Sequence, residues 1–348
     1  MISPTTASAG ATFALADAVE LVHVVRNGFI ESRTAGAAVV TGPDGRVLAA
    51  VGPADAPIFP RSTLKPFQTI ASQRLGAGLS GEELAIACGS HRGTARHRDL
   101  AARMLEAAGL GEDALQCPPA WPADAEEILR SVDDVAHRAT KTPLAFNCSG
   151  KHAGFLAACR ASDLDTATYL EAGHPLQREV IAVIEEYCGE PVAHVGVDGC
   201  GAPAPVVSLA GLARGIGRFA SAPRRRDAEV HAAEAAQAML EHPWAVQSEQ
   251  GSNAVVMREL GLIAKLGADG VMVMAAPDGT AVAVKALDGG SRAGELVGLA
   301  LMAQFAPAHV DADRLPGVLA AVAPEVSGGG RPVGAVRLAR PVLDLLDA

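Results

Sequence analysis

The sequence predicts an α+β fold: an antiparallel sheet built from N- and C-terminal strands, with helices against it. Three observations predict this. Strand-like runs sit at both ends, at 19–25, 37–40 and 47–51 and again at 271–276 and 281–285. Helical periodicity fills the middle, about 66–260. No strand–helix–strand alternation runs through the chain, so a doubly wound parallel sheet is not expected. Residues 1–18 are Ala/Ser/Thr-rich and read as a loose lead-in, leaving 19–348 as a single catalytic unit.

In order, residues 19–25 are β-branched and form a first strand. The pair 37–40 and 47–51 reads as a hairpin, because Gly42-Pro43-Asp44-Gly45 supplies an Asp-Gly turn between them. Helices are expected over 67–75, closed by Gly76, over 81–88, and over 96–108, closed by Gly109. Residues 117–122 are Pro-rich and irregular, and 126–130 look helical again. A helix reaches 161 from the Asn147 segment, and another covers 174–188. A short strand at 192–197 precedes helices at 206–215 and 227–241. Two strands joined by Pro277-Asp278-Gly279 and a helix over 292–305 follow. The tail carries Gly328-Gly329-Gly330 as a loop and a last extended piece.

The 348 residues are 49% hydrophobic and 20% charged, enough for one large core. A formal charge of −10 argues against non-specific binding to nucleic acid or an anionic membrane. Arg224-Arg225-Arg226 is a short run beside Pro223 and reads as a solvated loop. No basic-then-apolar leader is seen at the N-terminus and no apolar run is long enough to span a bilayer, so a cytoplasmic protein is expected. The six cysteines then read as buried small hydrophobes or metal ligands and not as a disulfide framework.

The chemistry-bearing stretch is Pro60-Arg61-Ser62-Thr63-Leu64-Lys65-Pro66. At a helix start, Ser-x-x-Lys spacing puts hydroxyl and amine on one face. Lysine serves as the base for such a serine when burial or a nearby cation lowers its pKa, and Arg61 is such a cation. Ser90 follows, beside Gly89 and His91, and then Lys265-Leu266-Gly267 just before a terminal strand. Ser-x-x-Lys, a second hydroxyl, then Lys-x-Gly is the order found in serine β-lactamases and penicillin-binding proteins. Each piece alone has a bland reading, a surface serine or lysine. Separately, Cys148 and Cys200 are glycine-flanked thiols at element ends. With one more donor they could hold Zn²⁺ with an open position; on residue chemistry that donor is His152, with Lys151 the alternative.

The segments Arg-Ser-Thr-Leu-Lys-Pro-Phe-Gln (61–68), Ala-Cys-Gly-Ser-His (87–91), Asn-Cys-Ser-Gly-Lys-His-Ala-Gly-Phe (147–155), Asp-Gly-Cys-Gly-Ala-Pro (198–203) and Lys-Leu-Gly-Ala-Asp-Gly-Val (265–271) resemble the inducible, Rhizobium etli-type L-asparaginases. Residues 284–293 also fit. The resemblance covers about 19–300 and implies a fold like that of serine β-lactamases and glutaminases. It implies Ser62 as nucleophile paired with Lys65, Ser90 and Lys265 as a second pair, and zinc on Cys148, Lys151 and Cys200, overruling His152. Asp198 would position Lys151 or the substrate amine, and Arg61 would support the nucleophile. His91 and His152 are candidate supporting or substrate-contacting residues. One segment departs from the family pattern: Gly251-Ser252-Asn253 stands where an Arg- or Asp-bearing stretch is expected.

The expected activity is hydrolysis of L-asparagine to L-aspartate and ammonia through an acyl-enzyme, with Lys65 as the neutral base, in a cytoplasmic homodimer. A β-lactamase- or peptidase-like serine hydrolase and a zinc-holding ligand-binding protein are the alternatives.

Overall fold

The computed structural model describes residues 10–124, 127–129 and 141–347. Strand β1 (Val19–Arg26) turns through Asn27-Gly28 into β2 (Phe29–Thr41), which begins eight residues earlier than the run at 37 indicates. The turn residues have φ of 48° and 84°. Asn-Gly is the pair that a two-residue hairpin turn selects, so this hairpin was legible in the sequence and was missed. β3 (Val47–Val51) returns on β2 after the expected Asp-Gly turn. The lead-in is not loose where it is described, because Phe13 is buried in the core.

After β4 (Pro57–Ile58) a 3₁₀ turn (Arg61–Leu64) runs into α1 (Lys65–Arg74). α2 (Gly81–Ala87), α3 (Ala95–Ala107), α4 (Ser149–Ala161) and α5 (Pro175–Cys188) lie where periodicity places them. Of the helix expected at 126–130, residues 126 and 130 lie outside the described residues and 127–129 are helical. β5 (His194–Val197) pairs with β6 (Pro203–Ser208), which pairs with β4. The helix expected from 206 therefore starts later, as α6 (Leu209–Ser221). Ser208 caps it by accepting the N–H of Gly211, while Val206 and Val207 complete a strand that the helical reading overlooked. α7 (Val230–Glu241), α8 (Pro243–Val246) and α9 (Ser252–Leu260) lead to β7 (Ile263–Gly267), β8 (Val271–Ala275) and β9 (Ala281–Ala286). α10 (Gly294–Phe305) and α11 (Leu315–Val322) follow. The Gly-rich tail forms a hairpin, β10 (Val326–Gly328) with β11 (Arg331–Leu338), and a closing α12 (Arg340–Leu346) that the sequence reading did not foresee.

The large sheet runs β10-β11-β1-β2-β9-β8-β7, with β3 also on β2, and every pairing is antiparallel. N- and C-terminal strands meet where β2 pairs with β9, as the α+β reading expects. β8 and β9 are buried at every position, with α6 and α10 packed on them. Two covered faces explain why these strands read as continuous apolar runs and not as alternation. β7 is the sheet edge, and the 3₁₀ turn carrying Ser62 packs on it.

Gly28 at φ 84° admits no β-branched side chain without strain. Gly28→Val is expected to lower stability by about 1–2 kcal/mol, read as a fall in Tm.

Candidate functional site

Four chain segments that are remote in sequence end at one place. α1 begins with Lys65 and Pro66, the proline fitting a first helical turn that needs no N–H. α2 ends just before Gly89-Ser90, whose backbone is fixed by Ser90 N donating to Val246 O at 2.7 Å. Asn147-Cys148 enters α4, and β7 carries Lys265 within the strand, where the sequence places it just ahead of one.

Both lysines are buried and both reach Ser90. Lys65 Nζ lies 3.0 Å from Ser90 Oγ, 3.2 Å from Asn147 O, and also donates to Gly89 O. Three acceptors match the three N–H of an ammonium. Lys265 Nζ lies 3.0 Å from Ser90 Oγ and donates to Leu266 O at 2.8 Å. Burial, and then the nearby charge of Lys65, pull the Lys265 pKa well below its ordinary value. Lys265 is thus the lysine of the pair whose charged form its surroundings disfavour. Cys88 lies beside the pair; burial pushes its thiol up to about 12 and keeps it neutral.

Ser62 is half-buried on the 3₁₀ turn, and no hydrogen bond joins it to Lys65. The direct Ser62–Lys65 contact expected from their spacing is absent because the lysine's donors are all taken by the Gly89–Ser90 and Asn147 segments. Arg61, just before Ser62, has φ 56°. Its guanidinium lies between Asp198, with Nε–Oδ1 2.8 Å, and Asp269. Burial opposes ionisation of Asp198, but Lys151 and Arg61 outweigh it and hold its carboxyl below the usual range.

Behind Asp198 lie the thiols. Lys151 Nζ is 3.1 Å from Cys200 Sγ, and Cys200 Sγ is 3.8 Å from Asp198 Oδ2. Cys148 Sγ is 3.2 Å from Asn147 Oδ1. Cys148, interacting with Cys200 and two lysines, is the sulfur whose pKa falls. His152 Nδ1 is 2.7 Å from Tyr169 Oη, which also accepts the N–H of Gln116. The other ring nitrogen, Nε2, is buried on the side facing Cys200. Among the described residues no group of three or more His, Cys, Asp or Glu gathers as a metal site. His91 is buried with Nδ1 accepting Gly93 N and Nε2 3.0 Å from Ser149 Oγ, so its ring braces the start of α4.

Three site residues escaped the sequence reading as individual candidates. Asn147 is named only within its motif, yet its carbonyl takes a Lys65 donor. Asn253 Oδ1 accepts Leu266 N at 3.0 Å, next to Lys265. Asp269 clamps Arg61, and its place four residues after Lys265 in the Lys-Leu-Gly-Ala-Asp-Gly segment was the available signal.

A sheet of terminal strands, a helical middle and two buried lysines on one serine define an α+β protein with a paired serine–lysine centre. A family model described as L-asparaginase II matches residues 22–338. The chain belongs to the L-asparaginase II family, in agreement with the amidohydrolase class that its motifs imply. Among curated proteins no match is found. Solved structures resemble it distantly. The structure titled "Crystal Structure Analysis of Mglu" has 16% identity and a TM-score of 0.44 over 78% of this chain and 66% of that one, so the chain spans just under two thirds of that protein. A β-lactamase, Mb2281c from Mycobacterium bovis, has 13% identity and a TM-score of 0.35 over 78% and 94%. A probable glutaminase from Bacillus subtilis complexed with 6-diazo-5-oxo-L-norleucine has 14% identity and a TM-score of 0.34 over 81% and 86%.

Because the folded pKa of Lys265 is lowered, the unfolded chain binds a proton there that the folded chain does not. The native state is penalised in full below that lowered value, and the penalty shrinks as pH rises from there through the ordinary 10.5. Lys265→Met is therefore expected to raise Tm at neutral pH and flatten its pH dependence, whereas Lys265→Arg, which cannot shed its charge, lowers Tm. Thermal melts from about pH 6 to about pH 10 check both.

Proposed function

We propose that the protein hydrolyses the side-chain amide of L-asparagine to L-aspartate and ammonia, with Ser62 as the nucleophile. The observation that carries this is the convergence of two buried lysines on Ser90 Oγ, each at 3.0 Å, in a chain of the L-asparaginase II family. Lys65, with three acceptors, serves as the fixed cation and Lys265 as the proton acceptor. This exchanges the roles that spacing alone assigns to them. Ser62 attacks the carboxamide carbon as its proton passes through Ser90 to Lys265. The same proton returns to the departing nitrogen, ammonia leaves, and water cleaves the β-aspartyl ester on Ser62. The backbone N–H of Ser62 itself would stabilise the developing oxyanion.

The thiol pocket fits zinc in its donor chemistry. Cys148, Cys200 and Lys151 would hold the ion, and it would supply a Lewis-acid anchor for the substrate's α-amine or α-carboxylate. Lys151 is taken as the third donor on the family resemblance; burial works against its charge, but Cys200 and Cys148 outweigh it and hold its pKa above the ordinary lysine value, so zinc would have to displace its proton. A cytoplasmic homodimer completes the proposal, on the family resemblance. Among the described residues no helix is long and apolar enough to cross a membrane.

A second reading takes Ser90 as the nucleophile, since its hydroxyl is in reach of both lysines. Ammonia release from L-asparagine, with mass-spectrometric mapping of the trapped ester, separates the two. Ser62→Ala is expected to lower kcat by more than about 10³-fold with the ester lost, and Ser90→Ala by about 10²–10⁴-fold with the ester still on Ser62. An ester on Ser90 moves the nucleophile there. No ammonia from the wild type, with turnover of a β-lactam such as nitrocefin, replaces the asparaginase reading.

Metal analysis of freshly purified protein should find about one zinc per chain, absent in Cys148→Ala and His152→Ala-independent. Metal-free wild type with an unchanged KM in Cys148→Ala ends the zinc proposal.

A further inference from the structure

We infer that Asp269 is a positioning residue for Ser62, acting through Arg61; the inference rests on the reading of Ser62 as nucleophile. Arg61 is a non-glycine residue at φ 56°. A left-handed conformation there costs about 1–2 kcal/mol and persists only where the surroundings over-determine it. Two groups do so. Asp198 takes the Nε edge of the guanidinium at 2.8 Å, and Asp269 takes Nη1. With both carboxylates in place the side chain is gripped at two edges, which favours the backbone conformation that presents it to both.

The Asp269 grip comes from a rigid place. Asp269 sits in the turn between β7 and β8, itself at φ 56°, followed by Gly270 at 71°. Lys285, in the buried β9, donates to Asp269 O at 2.7 Å, and Ala286 N donates to Gly270 O at 2.9 Å. The chain before Ser62 is also pressed onto β7, since a Cβ at Gly267 would lie 2.7 Å from Pro60 O. The turn is thus anchored from the sheet side and reaches over the residue that precedes the nucleophile.

Exposure separates positioning from stability. The Asp269 side chain is 64% exposed, against 15% for Asp198. A salt bridge with so exposed a partner adds little to folding, so its effect falls on the local geometry of Arg61 and Ser62.

Asp269→Ala is expected to lower kcat for L-asparagine about tenfold or more with KM changed less than about twofold, because misplacing a nucleophile acts on the chemical step. Tm should stay level or rise as the strained conformer relaxes. Asp269→Glu, which keeps the carboxylate, should recover much of the loss, and Asp269→Asn should recover less. A crystal structure of Asp269→Ala gives the readout independent of turnover: Arg61 at negative φ and Ser62 displaced. An unchanged kcat, or Arg61 retained in the left-handed region with Ser62 in place, overturns the inference. If wild type releases no ammonia from asparagine, the functional reading fails, while the Arg61 conformation in the variant still decides whether Asp269 positions Ser62.

Discussion

Two primary amines within hydrogen-bonding reach of one hydroxyl, away from bulk water, cannot both carry a charge without a large electrostatic cost. The surroundings break the tie. Lys65 is given Gly89 O, Asn147 O and Ser90 Oγ, while Lys265 has only Leu266 O besides the shared serine. Helix ends make this asymmetry available. Gly89 follows the last turn of α2, where carbonyls lack intrahelical partners and the helix dipole favours a cation. Lys265 lies on the edge strand β7, away from any helix end, and takes one carbonyl, Leu266 O. An ammonium and a neutral amine face each other across Ser90 as a consequence of where three elements stop.

The same economy links the serine–lysine centre to the thiol pocket. Asn147 offers its carbonyl to Lys65 and its side chain to Cys148. Asp198 binds Arg61 on one oxygen and lies near Cys200 with the other. Asn147 and Asp198 thus each touch both the thiol pocket and the serine–lysine region. Asp198 touches both, whereas Asp269 meets the Ser62 turn through Arg61.

Periodicity gave the helices and the sheet because both rest on local burial patterns, continuous in β8 and β9 and amphipathic in α3. The Ser-x-x-Lys, Gly-Ser-His, Asn-Cys-Ser-Gly-Lys-His and Lys-Leu-Gly stretches drew attention to the segments that do meet. What spacing could not carry was direction. Ser62 and Lys65 are three apart, yet the amine turns toward partners 25 and 82 residues away, a choice made by tertiary packing. The Asn27-Gly28 turn was legible and overlooked. The β6 strand was hidden because Val206 and Val207 read equally well as the start of α6, and only pairing with β4 and β5 decides for strand.

Gly251-Ser252-Asn253, the stretch that departs from the family pattern, has a physical task in this chain. β7 pairs only with β8, so its outer edge has backbone donors without a strand to receive them. Leu266 N donates to Asn253 Oδ1 at 3.0 Å, and Asn253 N in turn donates to Gln247 Oε1 at 3.0 Å. An arginine could not accept that N–H, having donors alone, and an aspartate would bring a charge to a position 1% exposed. A neutral amide is the side chain that fixes the edge of β7 without adding a charge next to Lys265. A carboxylate there would raise the Lys265 pKa, which burial and Lys65 hold down, and weaken the asymmetry between the two lysines. The asparagine thus leaves that asymmetry intact.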